Sequence, residues 1–446
     1  MSKKETGYRG KALEAIEKTR AEIGDIIRIT KGNEVLEGIL IPRSEYGDET
    51  HLVVKLKNGY NIGIAVTPDA NIERIGKGTK PTFAPPPVPA QKPGFPKVTI
   101  ISTGGTIASR VDYRTGGVRP ALTADDLYSV VPELANVADI ETQILLSLFS
   151  ENITPRDWGD IAQAAAKRIS DNVSGVVIAH GTDTMGFTAA ALSFALQNLP
   201  VPVVIVGSQR SADRPSSDAA TNLLGAVLAA SKAPFAEVVV AMHETTSDNS
   251  IAIHRGTKVR KLHTSRRDAF KSVNTLPIAR IENQQISMLT NEYPKRDPSR
   301  KLVVKPKFEE KVTLIKFFPS MNPSVIDFYT EKKYRGIILE GTGLGHVSRT
   351  CYDPLKNAIE RGLVVAMTSQ CIWGRINMNV YNTGRDLQAL GVVPLEDMLP
   401  ETALVKLMWV LGQTKDGEEA KTMLTTNVVG EISPRTVPEK TSCQQE

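Results

Sequence analysis

Apolar and polar positions follow three rhythms along this chain. Residues 23–78 alternate between the two in short runs, IGDIIRITKGNEVLEGILIP, HLVVKLKNGYNIGIAV and NIERIGKG, broken by Gly/Asn turns at KGNE and KNGY. Period-two alternation between such turns predicts short strands with one buried face. Five or so strands in about 60 residues, behind one helix at KALEAIEKT, predict a small SH3-like or OB-like β-barrel. From residue 96 the rhythm changes to apolar runs that close on Gly or polar residues: PKVTIIST, SGVVIAHGTDT, VPVVIVGSQR and EVVVAMHE. Ala-rich helical stretches such as ITPRDWGDIAQAAAKRI separate them, the pattern of a doubly wound α/β sheet. Past residue 310, KVTLIKFF, YRGIILEGTG and LVVAMTSQC repeat the strand-loop unit and predict a smaller α/β domain.

Two composition shifts set the boundaries. Seven of the eighteen residues 79–96 are proline, so this stretch joins neither a helix nor a ladder and acts as a stiff spacer. Residues 291–311, NEYPKRDPSRKLVVKPKFEEK, are charged and Pro-marked. The chain of 446 residues, long enough for two or three domains, therefore divides into a β-barrel domain at 1–80, a linker at 81–96, and α/β domains at 97–300 and 301–446.

Composition narrows the function classes. No apolar run of about 18 residues exists, and the polar start MSKKETGYRGKALEAIEKTR lacks a signal peptide's apolar region, so a soluble, cytoplasmic protein with no membrane role is expected. Cys351, Cys371 and Cys443 show no metal or disulfide spacing and are expected to be reduced, two of them in the core. A net charge of +5 is too mild to argue for nucleic acid. Between His254 and Lys271, however, seven cations (Arg255, Lys258, Arg260, Lys261, Arg266, Arg267, Lys271) face one acid, Asp268. This is either a solvated loop serving solubility or substrate attraction, or a patch for an RNA backbone or an acidic partner. GTGLG at 341–345 lacks the full dinucleotide fingerprint, and GxxxxGK[ST] is absent.

The candidate chemistry lies at two strand ends. In KVTIISTGGTIAS, residues 97–109, the run Val98, Ile100, Ile101 stops at Gly104 and Gly105, which let backbone approach a ligand, and Thr106 follows. SGVVIAHGTDTM, residues 174–185, repeats the design with Gly181, Thr182 and Asp183. Neighbouring parallel strands would present both threonines to one crevice. A Thr hydroxyl needs a base or a polarising charge, which Asp183 and a lysine supply. Lys261 fits the pattern best, although spacing does not separate it from Lys258 or Lys271. His180 ends a strand and is expected to orient its turn, while His243 and His254 have no metal spacing.

TGGTIA at 103–108 and HGTDTM at 180–185 together resemble the two signatures of the asparaginase/glutaminase amidohydrolases. The likeness continues through GSQRSADRPSSDAATNL, IILEGTGLGHV and TSQCIWGRINMNVYNTGRDL. It implies a two-domain body with parallel sheets, and Thr106 as the nucleophile that forms an acyl-enzyme. It further implies Thr182 and Lys261 as proton-transfer partners, with Asp183 in their cluster also holding the substrate amino group. Tyr113, on VDYRTGGV, corresponds to the lid tyrosine; Ser150 and Glu151, in FSEN, correspond to the grip on the α-carboxylate and amino group. No metal is implied, and the cross-subunit carboxylate that some members add is not assigned here.

Plain members of that family start almost at the TGGT strand, whereas about 96 residues precede it here. Barrel, proline tether and body together resemble the glutaminase subunits of archaeal tRNA-dependent amidotransferases. There the subunit frees ammonia from glutamine, and a partner, the amidotransferase's E-type subunit, binds Glu-tRNA(Gln) and completes amidation with ATP and Mg²⁺. The resemblance thus implies glutamine as substrate, no cofactor in this chain, tRNA contact mainly through the partner, and a homodimer within a heterotetramer. A free-standing cytoplasmic L-asparaginase with the same catalytic residues is the alternative.

Overall fold

The computed structural model describes residues 6–32, 34–43, 47–57, 61–77, 94–105, 107, 109–111, 118–120, 127–128, 131–210 and 216–436, with backbone alone at 109–111 and 118–120. Residues 81–93 of the proline-rich linker, Thr106, Tyr113 and Cys443 lie outside these. After α1 (Gly10–Thr19), alternation builds β1 (Ile26–Lys31), β2 (Glu34–Leu40), β3 (His51–Lys55), β4 (Asn61–Ala65) and β5 (Ala70–Gly76) into an antiparallel sheet ordered β4-β3-β2-β1-β5. This meander, whose last strand returns beside the first, is the SH3-like path and not the Greek-key path of an OB-fold. Ile27, Ile29, Leu40, Leu52 and Val54 bury one face against Ala12 and Ile16 of α1. Beneath them the Tyr8 hydroxyl donates to Ile41 O at 2.8 Å and accepts from Val53 N at 2.9 Å, so a fully covered phenol stays satisfied.

β6 (Lys97–Gly104) opens a second sheet. In chain order come the hairpin β7 (Ser109–Val111) and β8 (Val118–Pro120), β9 (Asp139–Leu148), α2 (Pro155–Ser170), β10 (Gly175–Ala179), α3 (Met185–Ala195), the short β11 (Leu196–Gln197), β12 (Val203–Val206), α4 (Ala219–Lys232), β13 (Val238–His243) and β14 (Ser250–Arg255). The hairpin β15 (Val259–Lys261) and β16 (Phe270–Ser272) follows, then β17 (Ala279–Glu282) and β18 (Gln285–Met288). Eight of these strands form one sheet, ordered β18-β17-β14-β13-β12-β10-β6-β9. β9, β6, β10, β12 and β13 are mutually parallel, as expected, but β14, β17 and β18 run antiparallel. For two of these pairings the reason is connection length: residues 244–249 are too few for a crossover helix before β14, and β17 turns into β18 through Asn283 and Gln284, both at positive φ, whereas β17 reaches β14 after the longer segment 256–278.

β9 and β10 flank β6 on opposite sides, so successive crossovers leave in opposite directions and open a crevice at the carboxyl ends of these strands. β19 (Val303–Val304) pairs with β11 and leads into the smaller unit. Its sheet is β20 (Val312–Lys316), β21 (Gly336–Gly341), β22 (Val364–Ser369) and β23 (Val393–Pro394), all parallel, with α5 (Ser324–Glu331), α6 (Tyr352–Glu360), α7 (Asn382–Ala389), α8 (Pro400–Gln413) and α9 (Gly417–Thr425). Cys351 is buried there, but Cys371 is exposed because it follows β22 at the sheet's carboxyl end, so of these two cysteines one is a core residue.

α3 is apolar all round because it is covered on both sides. Ala189 and Leu192 pack beneath the large sheet, while Ala190, Ala191 and Phe194 face α8, where Phe194 stacks on Trp409 at 5.6 Å. The connecting chain threads between helices at two glycines: a Cβ on Gly159 of α2 would fall 2.6 Å from Pro306 O, and one on Gly412 of α8 would fall 2.4 Å from Lys307 O. Among the described residues no helix is long and apolar enough to cross a membrane. Gly159→Ala and Gly412→Ala are expected to lower stability by about 1–3 kcal/mol despite alanine's better helix propensity, because the clash is with backbone. Gly417→Ala, with nothing within 4 Å, should be neutral; thermal unfolding of the three variants checks this.

Candidate active site

Three strand-end turns meet at the crevice, and glycines let them meet. Gly104 has φ +122° and a Cβ there would lie 2.1 Å from Leu148 O at the end of β9. Gly105, at φ +75°, would place one 2.9 Å from Gly181 N, in the turn after β10. A Cβ on Gly181 would in turn lie 2.9 Å from Ser150 Oγ. No side chain fits at any of these contacts, so TGG and HG are required by packing before any chemistry is considered. Thr103 is fully buried and its hydroxyl donates to Ala179 O at 3.0 Å, pinning β6 to β10 at the point where both strands end.

His180 holds the second turn. Its Nδ1 lies 2.6 Å from Gly181 O and its Nε2 2.9 Å from Thr188 Oγ1, a hydroxyl that also accepts from Trp158 Nε1 at 3.1 Å. That network assigns a neutral ring, donating from Nδ1 and accepting at Nε2. Burial depresses its pKa to about 4, against the opposing pull of the Gly181 carbonyl. The ring orients the turn, as the sequence led us to expect, and stands outside proton transfer. On the far side of the turn, Thr184 Oγ1 donates to Ser150 O at 2.6 Å.

From this platform Thr182 and the exposed Asp183 project toward β15. Lys261 Nζ donates to Thr182 Oγ1 at 2.9 Å and to Asp183 Oδ1 at 2.8 Å. The ammonium thus occupies one lone-pair side of the Thr182 hydroxyl and leaves its proton free to donate elsewhere. Geometry also separates the three lysines that spacing could not. Lys258 is 1% exposed and paired with Asp397 at 2.8 Å, its pKa pulled down by burial against the counter-effect of that carboxylate. Lys271 donates to Glu244 O at 2.8 Å and pairs with Asp268 at 3.2 Å. Ser150 is buried against Gly181 at the end of β9, and Glu151 stands exposed on the same 3₁₀ turn, Ser150–Asn152. Thr106 and Tyr113 fall outside the described residues.

The seven-cation segment is an exposed loop at 262–266 flanked by paired cations, and its positive charges are not free. Arg255 pairs with Glu237, Lys258 with Asp397, Arg260 with Glu401, Lys261 with Asp183, Arg267 with Asp248, and Arg266 and Lys271 share Asp268. Most of these carboxylates come from residues distant in sequence, which is why a local charge count overstates the positive field.

Sequence reasoning missed a polar chain behind the crevice. Asp218, fully buried, accepts from Gln209 N at 2.9 Å and Arg210 N at 2.8 Å, and from Asn222 Nδ2 at 2.9 Å; Asn222 Nδ2 also reaches Gly207 O at 2.9 Å. Asn222 Oδ1 accepts from His243 Nδ1, whose Nε2 contacts Asp248 at 3.0 Å. This chain fixes the loop after β12, where a Cβ on Gly207 would meet Thr182 Cγ2 at 2.9 Å. The available signal was an Asp and an Asn four apart, Asp218 and Asn222, at the start of an otherwise apolar helix.

Comparisons agree with this architecture. Residues 97–294 match the "Asparaginase, N-terminal" family, 311–424 the "Glutaminase/Asparaginase C-terminal domain" and 21–75 the "GatD N-terminal domain". The solved L-asparaginase of Thermococcus kodakarensis is 34% identical with a TM-score of 0.68, covering 76% of this chain and 99% of its own. The probable cytoplasmic L-asparaginase of Campylobacter jejuni is 27% identical with a TM-score of 0.62, covering 74% and 100%. Two sheets, paired strand-end turns and these matches define an asparaginase-type amidohydrolase body. Nearly full-length relatives are more specific: the D-type subunit of glutamyl-tRNA(Gln) amidotransferase from Methanopyrus kandleri is 50% identical over 95% of this chain and 94% of its own length. The corresponding Pyrococcus abyssi protein is 52% identical over 95% and 98%. The chain belongs to this family of D-type subunits of glutamyl-tRNA(Gln) amidotransferase.

Burial also sets an acid limit. His254, like His180, is covered, and burial, then the Lys271 charge, lowers its pKa to about 3. Both folded values lie below the ordinary 6.5, so the unfolded chain binds more protons and stability, complete above about pH 6.5, is lost as pH falls toward 4 and then 3. Urea midpoints are expected to be flat from about pH 7 to 8 and to fall steadily below about 6.5. A His254→Gln variant should show a shallower fall.

Proposed function

We propose that this chain is the glutamine-hydrolysing subunit of a tRNA-dependent amidotransferase. The observation that carries the reading is the Lys261–Thr182–Asp183 cluster, with contacts of 2.9 and 2.8 Å, held on the turn that packs against Gly105, one residue before Thr106. In this mechanism Thr106 Oγ attacks the side-chain amide carbon while its proton passes to the Thr182 hydroxyl, which the Lys261 ammonium polarises and which hands its own proton on to the leaving nitrogen. Backbone N–H groups of the glycine turns face the developing oxyanion, and such donors contribute roughly 3–4 kcal/mol each in well-studied cases. The C–N bond breaks, ammonia leaves with the transferred proton, and water hydrolyses the acyl-enzyme to glutamate. Asp183 and Glu151 supply anions for the substrate ammonium, and Ser150 a polar contact for its α-carboxylate. Tyr113, at the family's lid position, contacts the bound glutamine.

Ammonia then passes to a partner, the E-type subunit of the amidotransferase, which binds Glu-tRNA(Gln) and uses ATP and Mg²⁺; this chain needs no cofactor or metal of its own. The assembly is a homodimer of this chain within a cytoplasmic heterotetramer. What supports the amidotransferase reading over hydrolysis for its own sake is the small β unit before the amidohydrolase body, matched together with it in relatives of about 50% identity. The second reading, a free-standing L-asparaginase, draws support from the solved L-asparaginases, which cover 76% and 74% of the chain.

Thr106→Ala and Lys261→Met are expected to lose at least about nine-tenths of glutamine hydrolysis with the fold intact. Ammonia release and circular dichroism measure this, and a Thr106→Ala chain at wild-type rate would falsify the nucleophile assignment. Deleting residues 1–96 should leave hydrolysis in place and impair Gln-tRNA formation with the partner present, since a tethered unit contributes orientation more than bond cleavage. Unchanged Gln-tRNA formation would favour the free-standing enzyme.

A further inference from the structure

The strand that carries Lys261 belongs to both α/β units at once. In β15 side chains alternate, as the two-residue period requires. Val259 and Lys261 face the larger unit: Val259, 4% exposed, packs in the core cluster with Ile178, Met185 and Ala189, and Lys261 reaches Thr182 and Asp183. Arg260, and Lys258 in the bend just before the strand, face the smaller unit. Lys258 Nζ donates to Asp397 Oδ2 at 2.8 Å with both side chains 1% exposed, and Arg260 Nε lies 3.0 Å from Glu401 Oε1. On either flank the backbone is held the same way. Thr402 Oγ1 donates to Thr257 O at 2.9 Å, and Asn274 exchanges two hydrogen bonds with Gly374, at 2.9 and 2.8 Å.

This anchoring is needed because the hairpin supports itself poorly. β15 pairs with β16 over three residues in a two-stranded sheet, and so short a ribbon is marginal in water. Lys261 hangs its ammonium on a flexible four-carbon stem, and a hydrogen bond lengthened by about 1 Å is lost. The acids on the other side are themselves rigid. Asp397 Oδ1 also accepts from Ser433 N at 2.8 Å, and Glu401 sits in the first turn of α8, which packs against α3.

We propose that Asp397 and Glu401 are positioning residues for Lys261: the smaller unit, through one ion pair on the back of β15 and one to the bend that leads into it, sets where the Lys261 ammonium stands relative to Thr182 and Asp183. The proposal rests on the catalytic reading of Lys261. It predicts that loosening the anchors slows the chemical step while leaving substrate affinity in place, since both acids pair with cations other than Lys261 and neither contacts Thr182 or Asp183.

The test is steady-state hydrolysis of glutamine and of asparagine by the full-length chain, with Tm recorded for each variant. Arg260→Gln and Glu401→Gln should lower kcat about tenfold or more, with KM changed less than about twofold and Tm within a few degrees of wild type. Arg260→Lys, which keeps the charge, should recover most of that loss. Because Asp397→Asn leaves a buried ammonium unpaired, the paired change Lys258→Met with Asp397→Leu is the informative one there. It should fold, as apolar replacements of buried pairs commonly do, yet lose kcat to a similar degree, because apolar contact carries no direction. Wild-type kcat in Glu401→Gln and in the apolar pair, beside an inactive Lys261→Met, overturns the positioning role alone. A Lys261→Met chain with wild-type rate overturns it through Lys261 instead.

Discussion

Backbone touching backbone at Gly105 and Gly181 is the contact on which the site depends. Two parallel strands lie about 4.8 Å apart, and turns leaving their ends would ordinarily be kept farther apart by side chains. Removing the Cβ atoms at 104, 105 and 181 lets the ends of β9, β6 and β10 converge. The chemistry then needs only short polar residues one position further on. The polar and apolar contacts around this point either support that convergence from below or aim something at it from the side.

Support from below is mostly apolar and local. Val98, Ile100, Val177 and Val204 fill one face of the large sheet, and Ile101, Val176, Ile178 and Ile205 fill the other. Such packing is non-directional and gives rigidity without choosing an orientation for any one side chain. Orientation comes from the polar contacts: His180 on the second turn, Asp218 and Asn222 on the loop after β12, and the ion pairs behind β15. Each fixes a direction because hydrogen bonds do.

The strand framework was legible in the sequence because each strand is a run of Val and Ile ending at Gly or a polar residue, a signal carried by neighbours in the chain. The same locality explains what was not legible. β14, β17 and β18 look like any other short apolar run, and their directions depend on the connections before them: a short loop before β14 and a two-residue turn before β18, but a segment carrying the β15–β16 hairpin before β17. The cation-rich segment 255–271 read as a positive surface because Glu237, Asp248, Asp397 and Glu401 lie elsewhere in the sequence. Lys258, Lys261 and Lys271 were equivalent by spacing for the same reason; what separates the first two is that Lys258, in the bend before β15, pairs with Asp397 of the smaller unit, whereas Lys261, at the strand's end, pairs with Asp183.

Charged pairs are an unusual choice for a seam whose centre is Phe194 on Trp409. Lys406 and Glu431 are fully covered, and Lys258 and Asp397 nearly so. Desolvating such pairs costs roughly what their attraction returns, so they add little net stability over an apolar seam. What an apolar seam lacks is registry: Ala190 or Phe194 tolerates a slide of about an ångström, whereas Lys258 facing Asp397 does not. A two-unit enzyme body whose site lysine hangs from the joining strand needs registry there more than it needs further burial. The polar seam is therefore best understood through the position of Lys261, and the apolar seam beside it through the stability of the body as a whole.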